Sequence, residues 1–189
     1  MITRPILRLF DLVAAILGGL VSIPLLLIVG LIIRWTSSGP ALFRQVRLGR
    51  HEKPFVCLKL RTMRTGTRSA GTHEISASAV TGGGRFLRRS KIDELPQLWN
   101  VLVGDMSLVG PRPGLPTQTE MAHERRIRGV FRVRPGITGP GQISGLDMST
   151  PAALAEIDAT YASRPTVILY FRYVLATALG KGQGDRVRE

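Results

Sequence analysis

From Leu12 to Ile33 the chain runs for 22 residues without a charged side chain, and no other feature restricts its fold as strongly. A helix of that length reaches roughly 33 Å, about the thickness of a bilayer's hydrocarbon core. A cleaved signal peptide fits poorly, because the apolar stretch is too long and nothing after it resembles a cleavage site. A simple spanning helix is the plainest reading. Two features count against it. Pro24 stands near the middle, where it removes a backbone hydrogen bond and kinks a helix. Basic residues flank both ends: Arg4 and Arg8 before the stretch, then Arg34, Arg44, Arg47 and Arg50 after it. Positive charge marks the cytoplasmic side, so a basic flank at each end suits a segment that enters and returns on one side. On these residues alone the spanning and re-entrant readings stand level.

The whole chain, at 189 residues, fits one domain. Its formal charge of +13 points to polyanionic partners: nucleic acid, phosphorylated substrates or anionic lipid. Cys57 is the single cysteine, which excludes an internal disulfide framework, and the three histidines lack zinc-ligand spacing. Ala41 to Arg47 and Phe55 to Arg61 read as two short strands about a turn. In the second, Val56, Leu58 and Leu60 share one face, with Lys59 and Arg61 on the other. Thr65 to Gly84, rich in Ser, Thr, Gly and Ala, reads as a mobile loop. A helix is predicted from about Asp93 to Val103, with Leu95, Leu98 and Leu102 as its buried stripe. Pro111, Pro113 and Pro116 impose a stiff extended segment. Thr119 to Phe131 reads as an amphipathic helix, Pro135 to Gly145 as a structured loop, and Leu154 to Tyr161 as a short helix. Thr166 to Leu179 is too short to span a bilayer; it suits either the membrane surface or a core.

Chemistry concentrates in Arg85, Arg88, Arg89, Lys91, Asp93 and Glu94, four bases followed by two acids. A helix start explains them without function: Ser90 or Asp93 as cap, Glu94 at the positive dipole end, Pro96 in the first turn. The same physics keeps a carboxylate ionised among cations, available as nucleophile or metal ligand, with a neighbouring Glu as base. Arg112 sits between Pro111 and Pro113, so its backbone is fixed before a ligand arrives; that suits a preorganised phosphate clamp as well as a stiff loop. Lys59 is a third candidate. Gly82-Gly83-Gly84 is not a P-loop, because no Gly-Lys-Ser/Thr follows, and the serine-hydrolase elbow is absent.

These segments, taken in order, resemble the bacterial sugar transferases, the small monotopic phosphoglycosyl transferases. Lys59-Leu60-Arg61-Thr62-Met63 resembles the family's Lys-x-Arg-Ser/Thr-Met. Asp93 to Leu102 looks like the catalytic helix, and Gly104 to Pro113 continues it. Arg134-Pro135-Gly136-Ile137-Thr138-Gly139 resembles the next motif, and Asp158 with Tyr161 the Asp-x-x-Tyr pair after it. The resemblance implies an α+β membrane protein. Residues 1–36 would form a re-entrant membrane helix broken at Ser22 and Pro24. Residues 37–189 would form a small catalytic domain on the cytoplasmic face of the bacterial inner membrane, with a short β-hairpin and amphipathic interfacial helices, all one integrated unit.

It also implies a reaction. Asp93 attacks the β-phosphate of a UDP-sugar, UMP leaves, and polyprenol (undecaprenyl) phosphate then takes the phospho-sugar from the carboxylate in a ping-pong scheme. This is a first membrane step in glycoconjugate synthesis. Glu94 is the implied base, and Lys59, Arg61, Arg88, Arg112, Gln142 and Asp158 the implied substrate or phosphate contacts. Mg²⁺ is the implied cofactor, held by Asp93. Short chains of this kind resemble members that take N-acetylated amino sugars, at a bilayer with anionic lipid; a homodimer is left open. Two departures stand out. Ser22-Ile23-Pro24 replaces the family's Ser-Pro, and Thr138-Gly139-Pro140-Gly141-Gln142 replaces Thr-Gly-Leu-Ala-Gln. The competing reading, a membrane-anchored basic protein that binds nucleic acid or serves as a scaffold, lacks any helix-turn-helix, zinc-finger or RNA-binding fingerprint, so no nucleic-acid partner is expected.

Overall fold

The structure, a computed structural model, describes residues 3–68 and 75–182. It begins with α1, Thr3–Thr36, a helix of 34 residues, about 51 Å long. Length and composition suffice for it to cross a membrane. The chain stays helical through Pro24, so the expected break at Ser22 and Pro24 is not a loop. Pro24 cannot donate to the carbonyl four residues back, but the helix resumes after it, and Ser22 Oγ donates to the Gly19 carbonyl at 3.0 Å.

One stripe of α1 is covered and the rest is bare. Leu7, Asp11, Ala15, Ser22 and Ile33 are buried, with Leu26 and Val29 partly so. Their spacing of three and four residues traces one helix face. A Cβ on Gly18 would meet the Leu98 side chain at 3.3 Å, so α1 lies close on the helix beneath. The opposite face carries Leu17, Val21, Leu27 and Trp35 in the open. Apolar exposure of this extent marks a surface for lipid or for another protein.

The stripe is covered from end to end by the same body of the chain. Near its start, Leu7 packs with Val109, Tyr161 and Tyr170, and Ala15 with Phe55, Cys57, Val101 and Met106. Near its end, Ile33 packs with Leu60 and Leu87. Asp11 fixes the first contact. Its Oδ1 accepts from Ser107 Oγ at 2.9 Å, from Leu108 N–H at 2.9 Å and from Tyr170 Oη at 2.8 Å. Burial first, then the Asp11 carboxylate, pushes the Tyr170 phenol up, so it remains a donor.

The remaining elements are short. Strands β1 (Leu42–Leu48) and β2 (Pro54–Leu60) form an antiparallel hairpin. Helix α2 (Gly82–Ser90) leads through a 3₁₀ turn, Ile92–Glu94, into α3 (Gln97–Val103). Strand β3 (Ser107–Val109) pairs in parallel with β4 (Gly136–Thr138). Between them lie α4 (Thr119–Ile127) and a 3₁₀ turn at Val130–Arg132. Helices α5 (Pro140–Ser144), α6 (Pro151–Ser163) and α7 (Val167–Ala178) complete the chain.

Three predicted elements differ. The helix expected from about Asp93 begins at Gln97, after the 3₁₀ turn, and neither start has a side-chain cap from Ser90 or Asp93. Of the stretch read as a loop, residues 69–74 lie outside the described residues, while its last glycines open α2. Thr81 Oγ1 caps that helix by accepting from Gly84 N–H at 3.0 Å. The predicted loop at Pro135 to Gly145 is a strand and a short helix. The last helix buries one face and leaves the other open. Tyr170 is buried, Phe171 meets the Phe10 ring edge-on at 4.8 Å, and Ile168 and Leu175 are open.

Asp11→Ala is expected to destabilise the protein by about 3 kcal/mol, because two buried donors and one part-buried donor lose their acceptor together. Val21→Ala, on the bare face, should stay within about 0.5 kcal/mol in detergent. Chemical unfolding of the two variants in the same micelles measures both.

Candidate active site

Partnered residues of an antiparallel hairpin point to one face. The register sets Phe43 against Lys59, Gln45 against Cys57 and Arg47 against Phe55. Phe43, Gln45, Arg47 and Lys59 therefore open on the same side, and all four line a cavity of about 230 Å³. The segment 60–68 that leaves β2, Arg88 of α2, and Asp93 supply most of the remaining wall.

Each wall is held by a local device. A Cβ on Gly84 would come within 2.2 Å of the Thr62 carbonyl, so glycine alone lets α2 approach β2's exit this closely. That approach brings Arg88 Nε to Thr62 Oγ1 at 2.9 Å. Lys91 ends α2 in the left-handed region at φ 59°, a conformation uncommon outside glycine and costing on the order of 1 kcal/mol. The reversal there sends the next turn back across the hairpin, with Asp93 on the cavity wall and Glu94 beside it.

Both acids are buried, Asp93 to 5% exposure and Glu94 to 8%. Burial of a carboxylate demands a partner. Glu94 Oε1 accepts from Lys59 Nζ at 3.1 Å and from Arg112 Nη2 at 2.6 Å. Glu94 thus ties the hairpin to the Pro111-Arg112-Pro113 segment.

Arg112 is fixed from behind. Its carbonyl accepts from Arg125 Nη1 at 2.7 Å, and Arg125 in turn forks onto Asp158 Oδ2 at 3.1 and 2.6 Å. Arg47 Nη1 donates to the Pro113 carbonyl at 2.9 Å. The β3–β4 pair anchors the segment, with Gly110 N–H on the Thr138 carbonyl and Gly136 N–H on the Pro111 carbonyl, each at 2.9 Å. A Cβ on Gly136 would lie 2.0 Å from Gly110 N, so the backbones touch only because that residue is glycine.

Five of the predicted site residues come together: Lys59, Arg88, Asp93, Glu94 and Arg112. Arg61 reaches the cavity wall, but its guanidinium donates to the Ser37 and Ser38 carbonyls at 2.7 and 2.6 Å, joining β2 to the end of α1. Gln142 is buried on α5 with Nε2 on the Ile137 carbonyl, away from the cavity lining. Asp158 is wholly buried behind Arg112; burial pushes its carboxyl up, against the pull of Arg125.

Sequence reasoning missed Asp11, Arg47, Asn100 and Arg125. Asn100 accepts from Leu58 N–H at 3.0 Å and donates to the Val56 carbonyl at 2.7 Å, standing in for a third strand. Strand alternation from Lys59 across the hairpin would have found Arg47. A lone acid at the edge of an apolar run was the available signal for Asp11.

Magnesium requires few protein ligands, commonly one or two carboxylates with substrate phosphates and water. Among the described residues no group of three or more metal-ligating side chains occurs. Asp93, a buried carboxylate on the cavity wall, fits that sparse pattern; Glu94 fits less well, since two cations already hold its Oε1.

Comparison with known proteins gives a match to the family described as bacterial sugar transferase over residues 2–181. The chain is 39% identical over 170 residues to the uncharacterized sugar transferase EpsL of Bacillus subtilis, covering 90% of this chain and 84% of that one. It is 37% identical to the exopolysaccharide production protein PSS of Rhizobium leguminosarum, covering 94% and 96% of the two. It is 46% identical over 143 residues to the UDP-glucose:undecaprenyl-phosphate glucose-1-phosphate transferase of Caulobacter vibrioides, covering 74% of this chain. It spans about half, 54%, of that relative's length.

Cys57, beneath the hairpin and 2% exposed, has its thiol pushed up by burial, against nearby cations. A raised thiol is protonated at pH values where a free cysteine already ionises, so a maleimide at pH 8 should leave the folded protein unmodified. One equivalent should react after denaturation. Mass spectrometry of both samples tests it, and stoichiometric labelling of folded protein contradicts it.

Proposed function

We propose, on the premise that this chain belongs to the bacterial sugar transferase family, that it moves a sugar-1-phosphate from a UDP-sugar to polyprenol phosphate. The supporting observation is the buried Asp93 carboxylate on a cavity wall that also carries Lys59 and Arg88, with Arg112 reached through Glu94. Cations so arranged can receive a diphosphate.

The reaction proceeds in two displacements. A carboxylate oxygen of Asp93 attacks the β-phosphorus, and the bond from that phosphorus to the bridging oxygen breaks. UMP leaves with the electron pair, and the phospho-sugar remains on Asp93 as an acyl phosphate. An oxygen of polyprenol phosphate then attacks the same phosphorus, and Asp93 departs as a free carboxylate. Lys59, Arg88 and Arg112 neutralise the phosphate oxygens in both steps. Glu94 orients Lys59 and Arg112 and takes the proton of a protonated lipid phosphate. Asp93 would be the residue to hold Mg²⁺, which would supply further charge neutralisation.

Asp158 and Arg125 act behind the site, holding the Arg112 carbonyl and hence the direction of its guanidinium. The donor is a UDP-sugar by analogy with the Caulobacter relative, which is named for glucose; an N-acetylated amino sugar is the alternative donor. UMP release across a panel of UDP-sugars separates the two.

The same reading places the site on the cytoplasmic face of the bacterial inner membrane, with α1 entering and leaving on that face. Covered positions of α1 run from Leu7 to Ile33, about 39 Å along the axis. That exceeds a hydrocarbon core of about 30 Å. A spanning α1 would carry part of the attached domain, with Arg8 and Asp11, into or across the bilayer.

Without lipid acceptor, the enzyme should release about one UMP per chain and retain a phospho-sugar. Asp93→Asn should abolish release while leaving unfolding unchanged. Glu94→Gln should slow both half-reactions at least tenfold, since Lys59 and Arg112 lose their common anchor. Asp158→Asn should lower kcat several-fold with little change in KM. UMP release that requires the lipid acceptor, with no adduct before it, would refute the covalent mechanism.

A further inference from the structure

A second cavity, of about 90 Å³, opens between the first turns of α1, strand β3 and the chain ahead of α7. It shares no lining residue with the cavity at Asp93. Four guanidinium groups line it, from Arg8, Arg50, Arg132 and Arg134, against one carboxylate, Asp11. That carboxylate already accepts from Ser107, Leu108 and Tyr170. Arg8 also donates to the Val101 and Leu102 carbonyls and Arg134 to the Gly104 carbonyl, so both close the C-terminal end of α3.

Carbonyls satisfy hydrogen bonds and a helix end offsets part of a charge, but they do not cancel an excess of three positive charges about one small volume. Arg8 and Arg134 both approach Gly104: a Cβ there would lie 3.5 Å from Arg8 Nη2 and 4.0 Å from Arg134 Nη2. Burial, then the like charge of Arg8, pushes the Arg134 guanidinium down. An anion between these groups would relieve that repulsion, and guanidinium forks match phosphate oxygens. The volume is too small for a nucleotide. Leu7 and Pro165 also line it, and one turn away Phe10 and Phe171 join α1 to α7, with Leu9 and Ile168 exposed. The cavity therefore lies beside the apolar surface of both helices.

We propose that this cavity is a second anion site, separate from the reaction, that takes a single phosphate group carried by a lipid headgroup or free in solution. The phosphate held there ties Arg8 of α1 to Arg50 in the hairpin turn and to Arg132 and Arg134 ahead of β4.

The test is thermal unfolding of the full chain in a neutral, phosphate-free detergent with three additives: dioctanoyl phosphatidylglycerol, dioctanoylglycerol and inorganic phosphate. Arg50→Gln/Arg132→Gln leaves the arginines that close α3 in place. Arg132 is exposed, so Arg132→Gln alone serves if the double variant is unstable. Phosphatidylglycerol should raise the Tm of the natural chain by several degrees and dioctanoylglycerol should not. The rise should vanish in the double variant and fall by about half in the single one. The same pattern with inorganic phosphate alone identifies free phosphate as the occupant; with the lipid alone, a headgroup. Equal shifts in natural and variant chains, or none from either phosphate carrier, overturn the proposal. UMP release by the double variant in phosphate-free detergent should stay within about twofold of the natural chain. Absence of UMP release from both would contradict the transferase reading and leave the anion site to be judged on the Tm shifts.

Discussion

The contact of α1 with the rest of the chain along its whole length is the constraint on which the other features depend. Asp11 is its tightest point, a buried carboxylate joining α1 to β3 and α7 through three donors. Arg8 joins the same helix to the end of α3, and Ile33 packs it against the hairpin and α2. Polar attachment at one end and apolar packing at the other leave a single bare face, made mostly of leucine, isoleucine and valine. Membrane embedding, as proposed, follows from that face, and one-sided embedding from the attachment.

The same contact positions the chemistry. Helix α3 is pressed between α1 and the hairpin, and its inward side mixes polar and apolar groups: Gln97 and Asn100 are buried beside Val101, together with Asp93 and Glu94 in the turn before it. Asn100 occupies the hydrogen-bonding edge of β2, fixing Lys59 on the strand. Glu94 then meets Lys59 from one side and Arg112 from the other. Removing one member of such a buried ionic group leaves its partners uncompensated, at a cost of roughly 3–5 kcal/mol. The arrangement is therefore rigid before any substrate arrives, as preorganised stabilisation of phosphate charge requires.

Sequence patterns disclosed the chemistry better than the packing. Asp93 and Glu94 stood out because charged residues of both signs crowd one short stretch, but the cations that hold Glu94, Lys59 and Arg112, come from elsewhere in the chain. Period-based reasoning assigned the leucines of α3 to a buried stripe; Leu95, Leu98 and Leu102 are half-buried, and polar Gln97 and Asn100 are buried beside Val101. Hydrophobic periodicity cannot reveal an inward face whose groups are satisfied by a neighbouring backbone. Arg61 matched a motif, yet its guanidinium serves the Ser37 and Ser38 carbonyls, a long-range contact invisible to local pattern. Helix α2 was hidden by its three glycines, which lower helix propensity; the Thr81 cap and the burial of Leu87 outweigh them.

Pro24 shows how far a local rule can carry. It removes a hydrogen bond, as the rule states, but does not end the helix. What excludes a perpendicular crossing, in the proposed reading, is the domain attached beyond both sides of the proline. The most direct test is accessibility of cysteines placed at Thr3 and Ser38, the native Cys57 being buried. Intact spheroplasts are treated with a membrane-impermeant maleimide and compared with spheroplasts opened before labelling. The account predicts that neither site is labelled in intact cells and that both are labelled once the cytoplasmic face is exposed. Labelling of one site from outside, with the other reached only from within, would mean that α1 crosses the bilayer and would contradict the account.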